Sequence, residues 1–254
     1  MPTPRPSTPS FSSASVVLVH GAANSSAVWR FWRERLEARG HRVLTPDLRG
    51  HGRAACSDLG RVMMADYVDD VSTAARGLAE PPIVVGWSMG GLAALMYGAA
   101  HPVRGIVALG PSAPRQLLDS PRRAPLTPGV FGPEVYGVVD RTAAAQPTMP
   151  DLDAPEVAIA LSSLGAESIM ARQDRQRGIV VDPDKMTGPV LVVGGERDDT
   201  MRPAYCRRVA DLFRGAYVEF EGASHWGLVL NRRALDRHVP AVLAWMEALG
   251  DRPA

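Results

Sequence analysis

The chain has 254 residues, 46% hydrophobic and 22% charged, with 28 basic against 27 acidic side chains and a formal net charge of +1. That length suits one α/β domain of ordinary size, and the charge balance excludes bulk electrostatic attraction to nucleic acid or an anionic membrane. Two cysteines, Cys56 and Cys206, make neither a disulfide framework nor a zinc spacing, so two free thiols in a cytoplasmic protein are expected.

In chain order, residues 1–14 are rich in Pro, Ser and Thr and lack an apolar stretch, which predicts a flexible tail rather than a signal peptide. No apolar run approaches the roughly 18 residues a membrane span needs. Residues 15–20 are a β-branched run of the kind buried in a parallel sheet. Residues 27–39 predict a helix with Val28, Phe31, Trp32 and Leu36 on one face, ended by Gly40. A second strand is expected over 41–47, and then a helix to Leu78 capped by Asp66. The apolar run 82–85 leads into Gly86-Trp87-Ser88-Met89-Gly90 and a helix rich in Ala, Leu and Met from Gly91 to Tyr97. Further strands are expected over 105–110, 189–194 and 216–221, with helices over 203–213 and 233–249, the last interrupted or delayed by Pro240. The alternation predicts an α/β fold with about six parallel strands and helices on both faces. It lapses between Pro111 and Gly188, where a proline-rich half precedes a helical stretch from Pro155 to about Arg177. That stretch, at about 112–188, is expected to form a lid on a single domain spanning 15–254.

Strand, Gly-x-Ser-x-Gly, helix is the layout of a nucleophile elbow. The turn is so sharp that the serine backbone is strained and only small residues fit two positions either side. A serine hydroxyl is a weak nucleophile and needs a base, an acid to orient the base, and donors for the oxyanion. Of six histidines, His225 in Gly-Ala-Ser-His-Trp lies at the end of the last strand, downstream of every candidate acid. The acids follow the strand at 189–194: Asp198 is preferred, then Asp199, then Glu196. The oxyanion donors are expected to be the N–H groups of Met89 and Ala22. His20 is expected to pin the Ala22 loop structurally. Trp87 and Trp226 are candidate substrate contacts, with core packing as the equal alternative.

Taken together, Val-His-Gly followed by Trp29, Pro-Asp-Leu-Arg-Gly-His-Gly, Gly-Trp-Ser-Met-Gly-Gly, Gly-Glu-Arg-Asp and Gly-Ala-Ser-His-Trp resemble the α/β-hydrolase superfamily over residues 15–250. The resemblance implies Ser88 as nucleophile, His225 as base, Asp198 as orienting acid, and Ala22 with Met89 as oxyanion hole. The N-terminal antiparallel hairpin usual in that superfamily looks missing. The opening His-Gly-Ala-Ala-Asn segment is similar to plant-type methyl esterases and hydroxynitrile lyases, and the Arg-Gly-His-Gly loop to bacterial esterases.

The expected function is a serine hydrolase acting on a small, apolar carboxylic ester, or a thioester, lactone or amide, without metal or organic cofactor. A cofactor-independent lyase or cyclase using His225 as base is the alternative, and a non-catalytic ligand receptor a third reading. No nucleic-acid or membrane partner is expected, and a monomer and a homodimer are equally compatible with the sequence.

Overall fold

Strands and helices alternate along much of the computed structural model, which describes residues 13–138 and 140–250. In chain order they are β1 (Ser15–Val19), α1 (Arg30–Ala38), β2 (Arg42–Leu44), α2 (Met64–Ala75), β3 (Ile83–Trp87), α3 (Met89–Gly98) and β4 (Gly105–Leu109). Then come β5 (Val130–Phe131), α4 (Ala154–Ser163), β6 (Glu167–Ser168), α5 (Ile169–Arg177), β7 (Val190–Gly195), α6 (Pro203–Leu212), β8 (Ala216–Phe220), α7 (Gly227–Leu230) and α8 (Arg232–Glu247). The tail expected over residues 1–14 lies outside the described residues except for Ser13 and Ala14, and so does the stretch where a preceding hairpin would sit.

Six strands pair in the order β2-β1-β3-β4-β7-β8, every neighbour parallel. Period-two alternation splits their side chains between two layers. Leu18, Val85, Val107 and Val193 pack with Trp32 of α1 and Leu235 and Val239 of α8. Val17, Val84, Ile106 and Val192 pack with α2, α3 and α6 through Val71, Leu92 and Val209. Each such side chain contributes about 1.5–3 kcal/mol on burial. The chain leaves β1 for β2 on one side and returns to β3 on the other. The strand order therefore reverses between β1 and β3, and the carboxyl ends of those strands form the crevice where such sheets bind ligands.

Several local expectations are corrected. β2 stops at Leu44 because Pro46 has no N–H for the ladder and Asp47 instead accepts the N–H groups of Ser26 (2.7 Å) and Arg53 (3.0 Å). The predicted 27–39 helix divides into a 3₁₀ turn (Ser26–Trp29) and α1. Asp66 is not the cap of α2 but its third residue, and its carboxylate reaches back to the Met63 N–H at 2.7 Å. α8 runs on through Pro240, which lies on its exposed side, where water can satisfy the carbonyl that loses its donor. The short α7 directly after His225 was not expected.

The helical stretch expected from Pro155 to Arg177 is two helices, α4 and α5, broken over residues 164–168. Each has its own cap: the Asp153 carboxylate accepts the Glu156 N–H (2.9 Å), and the Ser168 hydroxyl accepts the Ala171 N–H (3.2 Å). Between them Gly165 N–H donates to the Ala23 carbonyl at 2.9 Å, and β6 pairs antiparallel with β5. Those bonds are incompatible with a continuous helical ladder. Among the described residues no helix is long and apolar enough to cross a membrane.

Candidate active site

Ser88 joins β3 to α3 with φ 56° and ψ −117°, a left-handed backbone for a residue with a Cβ. Such a geometry costs on the order of 1–3 kcal/mol and persists only where the surroundings enforce it. Here they do. The Ser88 N–H donates to the Leu109 carbonyl (2.9 Å), and its own carbonyl accepts the N–H groups of Gly91 (3.0 Å) and Ser112 (2.9 Å). A Cβ on Gly86 would stand 2.1 Å from the Gly90 carbonyl oxygen, and one on Gly90 would stand 2.2 Å from that of Val19. The flanking glycines are thus a steric requirement of the turn.

His225 lies in the loop after β8, and its Nδ1 is 2.7 Å from Asp198 Oδ2. Asp198 follows β7 and is 1% exposed. Burial alone would raise its pKa, but the facing His225 and the N–H groups of Met201 (2.7 Å) and Thr200 (2.9 Å) outweigh that and hold it below the usual carboxylate range. An ionised Asp198 only accepts, so Nδ1 carries a proton, which in the neutral ring makes Nε2 the acceptor. The other candidate acids are elsewhere: Asp199 is exposed, and Glu196 accepts the Gly222 N–H at 2.7 Å.

Trp87 and Asp151 hold the histidine loop. Trp87 Nε1–H donates to the His225 carbonyl (3.0 Å), and the Trp87 ring lies 5.1 Å from the His225 ring and 5.0 Å from Trp226. Asp151, from the segment between β4 and β7, accepts the Ser224 N–H at 3.0 Å and is itself held by Asn231. Trp87 and Trp226 line the cavity but are nearly buried, with 2% and 6% exposed, so each offers it little surface.

Met89 is the first residue of α3, and its N–H therefore has no partner within the helix. Ala22 lines the same cavity as Ser88 and His225. The Ala22 loop is fixed from below. His20 is fully buried, accepts the Leu48 N–H at Nε2 (3.0 Å) and donates from Nδ1 to the Gly21 carbonyl (2.9 Å). Burial, with His51 close by, pushes its pKa down to about 4, so it is neutral.

A cluster that sequence reasoning missed lies under this loop. Glu167, fully buried, accepts the Ala23 N–H (3.0 Å), the Ser168 N–H (2.7 Å) and the Tyr67 hydroxyl, with His51 Nε2 at 3.4 Å. Burial opposes its ionisation, yet His51 and Tyr67 hold its pKa down at about 2. The same carboxylate overcomes the burial of His51 and raises the histidine's pKa. Ala23, held by this bond, is itself left-handed at φ 55°. His51 stood in a visible Arg-Gly-His-Gly motif, but nothing in the sequence around Glu167 signalled a buried carboxylate.

The cavity holds about 330 Å³, the size of a small-molecule site. Ala22, Trp87, Ser88, His225 and Trp226 form its floor, and Val135, Val138, Leu164 and Arg175 come from the segment between β4 and β7. A larger groove of about 430 Å³ lies away from Ser88, between Asp151, Asp153, Glu221 and Arg237. Among the described residues no group of three or more His, Cys, Asp or Glu side chains could hold a metal ion.

A family model described as the alpha/beta hydrolase family matches residues 16–237. A pyrethroid hydrolase from Sphingobium wenxiniae is 34% identical over 96 residues, which is 37% of this chain and 34% of the relative. A pimeloyl-[acyl-carrier protein] methyl ester esterase from Yersinia pseudotuberculosis is 35% identical over 99 residues, or 38% of this chain and 36% of the relative. The matched part thus spans about a third of the length of these curated relatives. Among solved structures, a thermophilic esterase from Thermogutta terrifontis superposes with a TM-score of 0.72 at 20% identity, covering 94% of this chain and 91% of that one. At that identity the likeness shows the fold.

Proposed function

The chain belongs to the alpha/beta hydrolase family, and from that membership we propose that it is a serine hydrolase cleaving a carboxylic ester through an acyl-enzyme. The observation that carries this reading is one cavity lined by Ser88 at a strained elbow and by His225, whose Nδ1 is held 2.7 Å from Asp198. The names of the curated relatives, a pyrethroid hydrolase and a methyl ester esterase, support an ester as substrate.

Ser88 Oγ attacks the acyl carbon while its proton passes to His225 Nε2. The oxyanion is received by the N–H groups of Met89 and Ala22. Collapse breaks the ester bond, and the leaving alkoxide takes the proton from His225. Water then gives a proton to His225 and its oxygen attacks the acyl carbon. The second collapse releases the acid and returns the proton to Ser88 Oγ. Asp198 stays ionised throughout and stabilises the imidazolium. Residues 112–188 serve as the lid of this single domain, supplying the roof through Val135, Val138 and Leu164.

Labelling with a fluorophosphonate and hydrolysis of short 4-nitrophenyl esters test the reading. One equivalent of label on Ser88 is expected, and Ser88→Ala should lose label and at least about 10³-fold in rate. Undiminished ester hydrolysis by Ser88→Ala would refute the acyl-enzyme.

A further inference from the structure

Among the described residues, Arg175 on α5 is the only Lys or Arg lining the Ser88 cavity. It forms no ion pair with any described residue. Its Nη1 donates to Ser112 Oγ at 3.3 Å and its Nη2 to the Tyr136 hydroxyl at 3.4 Å, both long bonds to neutral oxygens. Its Nε is buried without a partner. The nearby acids Glu167 and Asp174 share its electrostatic field without coming within ion-pair distance, and their oxygens have other donors. Asp174 turns its carboxylate to the Met64 N–H, and Glu167 is saturated by Tyr67, Ala23, Ser168 and His51.

A guanidinium half-withdrawn from water, as Arg175 is, gains from an anion that meets it, and its planar fork matches a carboxylate with two parallel bonds. A second cation adds to the local field: Arg172 and Arg175 line a recess of about 210 Å³ that also includes Tyr136 and Met201, two residues shared with the Ser88 cavity. The position bears on the reaction centre. Ser112, which accepts from Arg175, gives its own N–H to the Ser88 carbonyl at 2.9 Å.

Resting on the ester-hydrolase reading above, we propose that Arg175 forms an anion subsite that selects esters bearing a free carboxylate, such as half-esters of short dicarboxylic acids. The competing role is a tether that only fastens α5 to Ser112 and Tyr136.

The Ser88→Ala protein is titrated with glutarate and with neutral dimethyl glutarate, with and without Arg175→Gln. Glutarate should bind about 10-fold or more tightly than the diester. Arg175→Gln should erase that preference and Arg175→Lys should keep part of it. With active enzyme, kcat/KM for 4-nitrophenyl hydrogen glutarate relative to 4-nitrophenyl pentanoate should fall about 10- to 100-fold on Arg175→Gln. Equal affinity of the Ser88→Ala protein for glutarate and the diester overturns the subsite, whether or not the Arg175 variants fold. An unchanged kinetic ratio in a folded Arg175→Gln overturns it too, leaving the ester reading intact. Arg175-dependent glutarate binding in a protein that hydrolyses neither ester would leave the subsite standing and remove the ester reading.

Discussion

Glu167→Gln isolates the buried carboxylate beneath the Ala22 loop at almost constant volume. The native side chain accepts the Ala23 N–H at 3.0 Å, the Ser168 N–H at 2.7 Å and the Tyr67 hydroxyl. Glutamine has one oxygen. If that oxygen keeps Ala23, the amide nitrogen faces Ser168 and Tyr67. The tyrosine hydroxyl can rotate and accept, but the Ser168 N–H cannot, and a buried orphan donor costs about 1–3 kcal/mol. The bonds that remain also weaken, because a neutral oxygen replaces a charged one. Without the carboxylate that raises its pKa, burial favours a neutral His51, which limits the electrostatic loss. The sum is about 2–4 kcal/mol, or a Tm lower by about 5–15 °C for a chain of this size. Urea unfolding followed by tryptophan fluorescence measures it, with Tyr67→Phe as a milder control near 1 kcal/mol. Because Glu167 holds the residue next to Ala22, kcat on a short ester should also fall, by less than the 10²–10³ of an oxyanion donor removed outright. A Glu167→Gln protein within about 0.5 kcal/mol of the parent, with unchanged kcat, would refute the reasoning.

Stability should fall on acidification from pH 6.5 towards 4, because His20 takes up a proton below 6.5 when unfolded but not until about 4 when native. The loss approaches about 3 kcal/mol, and urea midpoints across that range should decline less steeply in His20→Gln. Glu167 acts lower still: its contribution is complete above the ordinary carboxylate value of 4.5 and is lost as pH falls towards about 2. The His51 contribution runs the other way, present below 6.5 and lost as pH rises through its raised native pKa. Asp198→Asn should lower kcat by about 10³–10⁴ by disturbing the His225 tautomer, and a loss under about tenfold in ester assays would count against that role. Gly86→Ala should cost 3 kcal/mol or more, since its Cβ would meet the Gly90 oxygen at 2.1 Å. Gly77→Ala, left-handed but with nothing within 4 Å, should cost only about 1 kcal/mol. Equal melting temperatures for the two glycine variants would contradict the steric account.

Features whose causes are local in sequence were legible in it. The elbow is one: Gly86 has no room for a Cβ because of Gly90 four residues on, so the residues around Ser88 declare the turn, although Gly90 is also pressed by Val19 of β1. The strands are another, because continuous β-branched runs bury on both faces whatever lies beside them. Asp198 and His225 are farther apart, yet each sits just past a strand, and the pairing of β7 with β8 brings those two ends together. The break between α4 and α5 was hidden because its cause, the bond from Gly165 to Ala23, joins distant segments. Glu167 and Arg175 were hidden for the same reason. Each is one charged residue in a polar stretch without period, and helical patterning treats both as surface. Glu167 is fully buried and Arg175 half-buried at the cavity wall, and satisfaction separates them further. Glu167 has donors on both oxygens and therefore belongs to the scaffold. Arg175 has two long bonds to hydroxyls and an orphaned Nε beside the nucleophile's cavity. A half-buried guanidinium with an unfilled Nε can still take an anion, and Arg175 lines the cavity where a substrate would lie.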